Sequence, residues 1–299
     1  MPGQKSRLQL RLPVRIRFRW LATRILLIGL SAWVLSLGGL SAIYVHTLMH
    51  PPCPATPVEL TGYQSVTIAT ADGYALRGWW LPPENGAVIL ILGGNGGSRD
   101  AMLGDAGMLA RHGYGVLTIE YRNCQGGRAT LGYREAGDLT AMLKFTQSQP
   151  GVEWIGVLGF SAGGAAVILG AAQMPEIGAV VAEGHYANLH YEITNANSPV
   201  LSPAWQVQQW VSLLFGVALG QSPHRISPVD DLAHLSPRPV LLIFGQYEAD
   251  NNRAADQLAA AGPNARMWIV PGAGHGGYAQ LFPEEYEARI ISFFEDARD

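Results

Sequence analysis

From about residue 65 to the C-terminus, short apolar runs alternate with longer segments of helical pattern. Six of the runs predict buried strands, at residues 87–92, 115–120, 154–158, 179–183, 240–244 and 266–270. Helical patterns lie between or after these runs, near 99–112, 134–147, 165–169, 257–261 and 283–296. Two earlier runs, 65–70 and 75–81, flank the turn Asp72-Gly73 and predict a β-hairpin. Such alternation predicts an α/β fold with a mostly parallel central sheet flanked by helices.

One stretch, residues 184–237, interrupts this alternation. It contains one convincing helix, near 204–219, which carries five large apolar side chains: Trp205, Trp210, Leu213, Leu214 and Phe215. This apolar face either packs on the core or forms a short helical cap over an apolar pocket. His185 and His190 lie at the start of the stretch without carboxylate or cysteine partners, so no metal site is predicted there.

The N-terminus has a different pattern. Residues 1–24 contain seven cations and no acid, and residues 25–45 contain no charge. As a helix, this uncharged stretch would be about 32 Å long, which matches a hydrocarbon core of about 30 Å. We predict a basic cytoplasmic leader (1–24), a single transmembrane helix (25–45), a proline-rich stem (46–57) and an extracytoplasmic catalytic domain (58–299). A cleaved signal peptide fits less well, because no A-x-A site follows the long apolar run.

The distribution of charge also separates the N-terminal leader from the rest of the chain. The formal net charge is −3, and removing the seven N-terminal cations leaves 13 basic against 23 acidic residues, or −10. An acidic domain does not favour nucleic acid, whereas the basic leader favours anionic lipid. The sequence leaves open whether Cys53 and Cys124, its two cysteines, pair with each other.

A candidate nucleophile lies in the pentapeptide Gly159-Phe160-Ser161-Ala162-Gly163, between a predicted strand and a predicted helix. A serine at such a junction occupies a sharp turn, and the flanking glycines leave its hydroxyl accessible. The pattern alone is weak evidence, so it depends on the groups that would accompany it.

Groups of the required kinds follow in order. His275 lies in a glycine-dense loop after the last predicted strand, where an imidazole can act as a general base. Glu248 and Asp250 follow the strand 240–244 and are the two candidate acids that would orient this histidine. The segment Gly93–Ser98, after the strand 87–92, is a glycine loop whose N–H groups can point to one spot.

With these motifs in this order, residues 58–299 resemble the α/β-hydrolase superfamily, in its serine esterase and peptidase-like branch. The resemblance implies Ser161 as nucleophile, His275 as base and Glu248 as acid, with Asp250 as a competitor. It also implies that the backbone N–H groups of Asn95 and Ala162 form the oxyanion hole. Two departures are that Gly93-Gly94 replaces the usual His-Gly and that the family acid is most often Asp.

The expected function is a membrane-anchored serine hydrolase that cleaves a carboxylic ester, thioester or amide through an acyl-enzyme. The expected partners are a small-molecule, acyl or peptidyl substrate and the lipid bilayer, with no metal and no organic cofactor. The alternative is a non-catalytic binding or scaffold protein on the same fold.

Overall fold

The computed structural model of the protein describes residues 14–54, 59–194 and 198–299. Part of the predicted leader (1–13), the end of the predicted stem (55–57), the first residue of the predicted catalytic domain (58) and three residues of the predicted cap (195–197) lie outside the described residues.

The described residues form one eight-stranded sheet with the order β1-β2-β4-β3-β5-β6-β7-β8. The strands are β1 (Gln64–Ala69), β2 (Ala75–Leu81), β3 (Ala87–Leu92), β4 (Gly115–Ile119), β5 (Trp154–Phe160), β6 (Ala179–Glu183), β7 (Val240–Gly245) and β8 (Ala265–Val270). β1 and β2 form the predicted hairpin, and β2 is antiparallel to β4. All remaining pairs are parallel, which confirms the mostly parallel sheet.

Helices cover both faces of the sheet. They are α1 (Val14–Met49), α2 (Leu103–Arg111), α3 (Glu135–Gln147), α4 (Ala162–Ala171), α5 (Leu189–Thr194), α6 (Pro203–Leu219), α7 (Pro228–Asp231), α8 (Ala254–Ala261), α9 (Tyr278–Leu281) and α10 (Pro283–Asp296). One core layer joins the sheet to α3, α4 and α8. The other joins its opposite face to α2 and α10. Because the central strands are buried on both faces, they read as continuous apolar runs.

α1 is longer than the predicted span and is the one described helix long and apolar enough to cross a membrane. Residues 19–36 of α1 are exposed, but four residues at four-residue spacing are buried: Leu37, Ser41, Val45 and Met49. Residues this far apart share one face of a helix. This face of α1 therefore packs on the domain along the last turns of the predicted span as well as beyond its end at Val45.

The chain after α1 also lies against the domain. A disulfide joins Cys53 to Cys124, with the two Cα atoms 5.2 Å apart, which answers the question that the sequence left open. The side-chain amide of Asn123 donates a hydrogen bond to the carbonyl of Pro51 at 3.2 Å. The described part of the stem is thus fixed to the domain by a covalent bond and a hydrogen bond.

α6 forms close to the predicted position because its ends are well capped. The Ser202 hydroxyl accepts a hydrogen bond from the Trp205 N–H at 3.1 Å, and Gly220 ends the helix in the left-handed conformation. Val211 and Phe215 are buried in a cluster that includes the end of α1. The apolar face of α6 therefore packs mainly on α1 and α5, which favours the packing alternative over a cap above Ser161.

Candidate active site

Ser161 occupies a strained turn between β5 and α4, with φ 55° and ψ −118°. Both glycines of the pentapeptide are sterically required. A Cβ at Gly163 would lie 2.1 Å from the Leu92 carbonyl oxygen, and one at Gly159 would lie 2.3 Å from the Gly163 oxygen. The turn therefore packs directly against the end of β3, and the hydroxyl lies at the carboxyl edge of the sheet.

His275 bridges the candidate nucleophile and one of the candidate acids. Its Nε2 lies 2.9 Å from the Ser161 Oγ, and its Nδ1 lies 2.6 Å from the Glu248 Oε2. An ionised carboxylate only accepts hydrogen bonds, so the Nδ1 carries the proton and the Nε2 accepts from the serine hydroxyl. In this tautomer the imidazole can take the serine proton.

Glu248 is held by three donors besides His275. The Gly245 N–H donates to Oε1 at 2.9 Å, the Asn252 amide donates to Oε2 at 3.3 Å, and the Tyr278 hydroxyl donates to Oε1. Burial by itself would raise the pKa of Glu248, but the hydrogen bonds from His275, Tyr278 and Gly245 outweigh it and lower that pKa. The hydrogen bond to Glu248 in turn raises the pKa of His275. The pair therefore favours an ionised acid beside a stabilised imidazolium.

Asp250, the competing acid, does not join this network. Asp250 is exposed and lies two positions beyond Glu248. It belongs to a turn in which the Arg253 N–H donates a hydrogen bond to the Asp250 carbonyl at 3.1 Å. The loop turns back toward His275 at Glu248, because the N–H groups of Glu248 and Ala249 both donate to the Gly245 carbonyl at 3.1 Å.

The glycine loop after β3 approaches Ser161 from the other side. A Cβ at Gly94 would lie 3.5 Å from the Ser161 Cβ. Neither the Asn95 N–H nor the Ala162 N–H donates a hydrogen bond within the described part of the chain. Donors that are unpaired next to a nucleophile are what an oxyanion needs. The Asn95 side chain points elsewhere, and its amide donates to the Leu48 carbonyl of α1 at 3.1 Å.

Two cavities border Phe160, the residue before Ser161. One of about 410 Å³ is lined by the glycine loop, by Met102 and by Pro54 of the stem. The other, of about 180 Å³, lies between Phe160 and the start of α9. The His275 side chain remains 51% exposed. The site is therefore open to solvent beside a largely apolar pocket that could accept an acyl chain.

A buried acidic group lies behind the site. The Glu183 carbonyl accepts the Ser161 N–H at 2.7 Å, while its Oε1 lies 2.7 Å from the Tyr286 hydroxyl. That hydroxyl also lies 2.7 Å from the Asp105 Oδ1. The Tyr286 hydroxyl has one proton and can donate it to only one of these two carboxyls. The other carboxyl must therefore carry a proton of its own and donate it to the hydroxyl oxygen. Burial raises the pKa of both carboxyls, and Glu183 is the more deeply buried of the two, so Glu183 is the one we assign as protonated.

Sequence reasoning missed Asn252 and Tyr278, which hold Glu248, and Leu48, which contacts the glycine loop. Tyr278 follows His275 by three residues, a spacing that could have suggested a shared orientation toward Glu248. The contact of Leu48 with the glycine loop carries no sequence signal. His185 and His190, by contrast, are both buried and share no hydrogen-bond partner. His185 is hydrogen-bonded to Gln257, and His190 is hydrogen-bonded to Ser212.

Comparison with known proteins agrees with this architecture. The esterase Pf2001 of Pyrococcus furiosus is 25% identical, with a TM-score of 0.63 over 83% of this chain and 97% of that one. Est1E of Butyrivibrio proteoclasticus is 19% identical, with a TM-score of 0.58 over 79% of this chain and 100% of that one. The α/β hydrolase GrgF of Penicillium sp. sh18 is 17% identical, with a TM-score of 0.58 over 79% of this chain and 98% of that one.

No curated protein sequence is significantly similar to the chain. The sequence model of the alpha/beta hydrolase family, however, matches residues 88–289. This match spans β3 to α10 and includes Ser161, Glu248 and His275. The chain therefore belongs to the alpha/beta hydrolase family.

Proposed function

We propose that this hydrolase is a serine hydrolase that cleaves a carboxylic ester, thioester or amide through an acyl-enzyme on Ser161. The observation that carries the proposal is the row of hydrogen bonds from Ser161 through His275 to Glu248. Likeness to an esterase favours an ester among the three substrate classes. The largely apolar cavity beside Phe160 supports an acyl group as the part of the substrate that binds there.

The first half of the reaction forms the acyl-enzyme. The Ser161 Oγ attacks the carbonyl carbon while the His275 Nε2 takes its proton. Glu248 stabilises the resulting imidazolium, and the unpaired N–H groups of Asn95 and Ala162 receive the developing oxyanion. The imidazolium then gives its proton to the leaving alcohol, thiol or amine as the bond to the carbonyl carbon breaks.

The second half releases the acid. A water molecule takes the place of the leaving group, and His275 removes one of its protons as it attacks the acyl carbon. The tetrahedral intermediate again places its negative oxygen at the same two N–H groups. Its collapse returns the proton to Ser161 and frees the carboxylic acid product.

We also propose that α1 anchors the protein in a membrane, with the N-terminus in the cytoplasm and the catalytic domain outside. The long apolar helix and the basic residues before it support this topology. The disulfide between Cys53 and Cys124 agrees with it, because disulfides persist in oxidising compartments outside the cytoplasm. Protease added to sealed right-side-out membrane vesicles should digest the domain, and carbonate should leave the full-length chain in the membrane fraction.

A fluorophosphonate probe tests the catalytic proposal directly, because it reacts with activated serines. The full-length protein in detergent should be labelled, and Ser161→Ala should abolish both labelling and p-nitrophenyl ester turnover. Ser148→Ala, at an exposed serine after α3, is the matched control and should remain labelled. Labelling that survives Ser161→Ala would contradict the mechanism. A folded wild type without labelling or turnover would favour the non-catalytic binding protein.

A further inference from the structure

A long uncharged segment surrounds α6. Residues 193–223 contain no Asp, Glu, Lys, Arg or His, although 14% of the whole chain is Asp, Glu, Lys or Arg. At that frequency, a segment of this length would carry about four charges. A helix on a water-exposed surface normally carries charges on its outer face. The missing charges therefore indicate that the outer face of α6 does not lie in water.

The outer face of this segment is also apolar. Four large side chains are strongly exposed there, with exposed fractions of 74% for Val200, 71% for Leu201, 56% for Leu213 and 73% for Val217. We refer to these four residues as the α6 surface. Leu213 and Val217 are one helical turn apart on α6, and the other two lie in the loop before it. Grouped exposed apolar residues mark a contact with protein or lipid.

The contacts of α6 place this surface beside the proposed membrane span. The Trp33 indole N–H donates to the Gln206 side-chain oxygen at 3.0 Å, and the Ser41 hydroxyl donates to the Val207 carbonyl at 3.2 Å. Trp33 and Ser41 lie twelve and four residues before the predicted end of the span at Val45. At 1.5 Å per residue, these contacts lie about 6 to 18 Å inside that end.

Two of the three glutamines of α6 are hydrogen-bonded, as a hydrocarbon environment requires, whereas Gln209, one turn before Leu213, is exposed and makes no side-chain hydrogen bond within the described residues. Gln206 accepts from Trp33 through its oxygen and donates to the Leu201 carbonyl at 2.9 Å through its nitrogen. The Gln208 amide donates to the Ser198 hydroxyl at 2.9 Å. Hydrogen bonds of this kind between helices are common inside membranes.

We propose that the α6 surface docks into the outer leaflet of the same bilayer that α1 spans. The proposal rests on the membrane anchor proposed above, and its occupant is the acyl-chain region of the lipid. Since Asn95 contacts the carbonyl of Leu48, three residues past the predicted end of the span, the candidate active site lies at the surface of that leaflet. A substrate embedded in the bilayer could then reach Ser161 without crossing bulk water.

Site-specific quenching tests this placement independently of catalysis. The two cysteines of the chain are bonded to each other, so an introduced cysteine is a single labelling site. Leu201→Cys and Val217→Cys in the full chain would carry a nitrobenzoxadiazole label in phosphatidylcholine vesicles. Two references accompany them. Leu30→Cys lies within the span, and Glu84→Cys lies in an exposed turn before β3, at the opposite edge of the sheet.

Labels at residues 201 and 217 should be quenched by nitroxide on the lipid acyl chains, as at residue 30. Their quenching by aqueous iodide should be several-fold weaker than at residue 84. Quenching by iodide at 201 and 217, with lipid quenching at 30, would overturn the docking surface and leave the anchor standing. Shielding from both quenchers would mean that protein, such as a second copy, covers the surface, and would also overturn it. No lipid quenching at 30 would overturn anchor and surface together, while the serine chemistry would stand on its own labelling test.

Discussion

The side-chain amide of Asn95 donates a hydrogen bond to the backbone carbonyl of Leu48 at 3.1 Å. Leu48 belongs to the last turn of α1, and Asn95 belongs to the glycine loop beside Ser161. The helix that we propose as the membrane anchor thus contacts the candidate oxyanion loop directly. The loop takes its position partly from the helix, so α1 is a structural part of the candidate site in addition to its proposed role as a tether.

Asn95→Ala should slow the reaction through loss of this contact. The backbone N–H of residue 95 remains, but the loop loses a hydrogen bond worth about 0.5–1.5 kcal/mol. Expressed as transition-state stabilisation, this corresponds to a decrease in kcat of up to about tenfold, with a smaller change in KM. Steady-state kinetics on a p-nitrophenyl ester measure both constants.

Asn123→Ala is the matched control for this prediction. Asn123 makes the same kind of bond to the same part of the chain, to the carbonyl of Pro51 at 3.2 Å, but it does not lie in the glycine loop. It should lower thermal stability slightly and leave kcat unchanged. Equal kinetic losses in the two variants would show that the effect comes from general loosening of the stem.

Replacing the two candidate acids should separate their roles. Glu248→Gln removes the carboxylate that accepts the His275 Nδ1–H at 2.6 Å, and an amide nitrogen there would favour the wrong tautomer. The expected loss of kcat is several orders of magnitude, up to about 10⁴. Asp250→Asn alters an exposed residue of the turn and should remain within about tenfold of wild type. Circular dichroism would verify that both variants fold, and the reverse ranking would assign the role to Asp250.

The pH dependence of kcat/KM should report the His275–Glu248 pair. The base must be neutral to take the serine proton, so activity should rise with pH through the pKa of His275. Because the hydrogen bond to Glu248 raises that pKa, the midpoint should lie above the ordinary histidine value of about 6.5. In Glu248→Gln the residual activity should have its midpoint at lower pH, since the imidazolium loses its partner. A wild-type midpoint below 6.5 would contradict this account.

Much of the fold follows from the sequence because its signals are local. Each buried strand is a continuous apolar run, and the turn at Ser161 is encoded by Gly159 and Gly163, where any Cβ would meet backbone atoms within 2.3 Å. The three-residue spacing from Gly245 likewise leads to Glu248, because that loop closes on the carbonyl of Gly245.

The long-range contacts carry no such signal. Between residues 25 and 45, α1 carries no charge on any side, so nothing in its sequence distinguishes the face with Leu37, Ser41 and Val45 that packs on the domain. The bond from Asn95 to Leu48 joins residues 47 positions apart across a stem without periodicity. α6 is apolar on its buried and exposed faces alike. Its packing against α1 therefore could not be separated from a cap over Ser161 before the structure was known.

The buried carboxyl of Glu183 provides a last test, because we assign it as protonated in the folded protein. Glu183→Gln replaces a neutral acid with a neutral amide that can still donate to the Tyr286 hydroxyl, now 2.7 Å from the acid. We expect this variant to be at least as stable as wild type at pH 7, whereas Glu183→Ala should lose about 1–3 kcal/mol by leaving polar groups unpaired. Urea unfolding of both variants and wild type measures these differences.

The difference in unfolding free energy between wild type and Glu183→Gln should also depend on pH, with a sign that follows from the raised pKa of Glu183. An acid whose folded pKa is raised binds more protons in the folded state than in the unfolded state, so its contribution to stability falls as the pH rises above the unfolded pKa of about 4.3. Wild type should therefore lose stability relative to Glu183→Gln by up to about 1.4 kcal/mol per pH unit, until the folded pKa is reached. If Glu183→Gln is as damaging as Glu183→Ala, and the gap to wild type narrows toward acid pH, Glu183 is ionised in the folded protein and the shared proton belongs to Asp105.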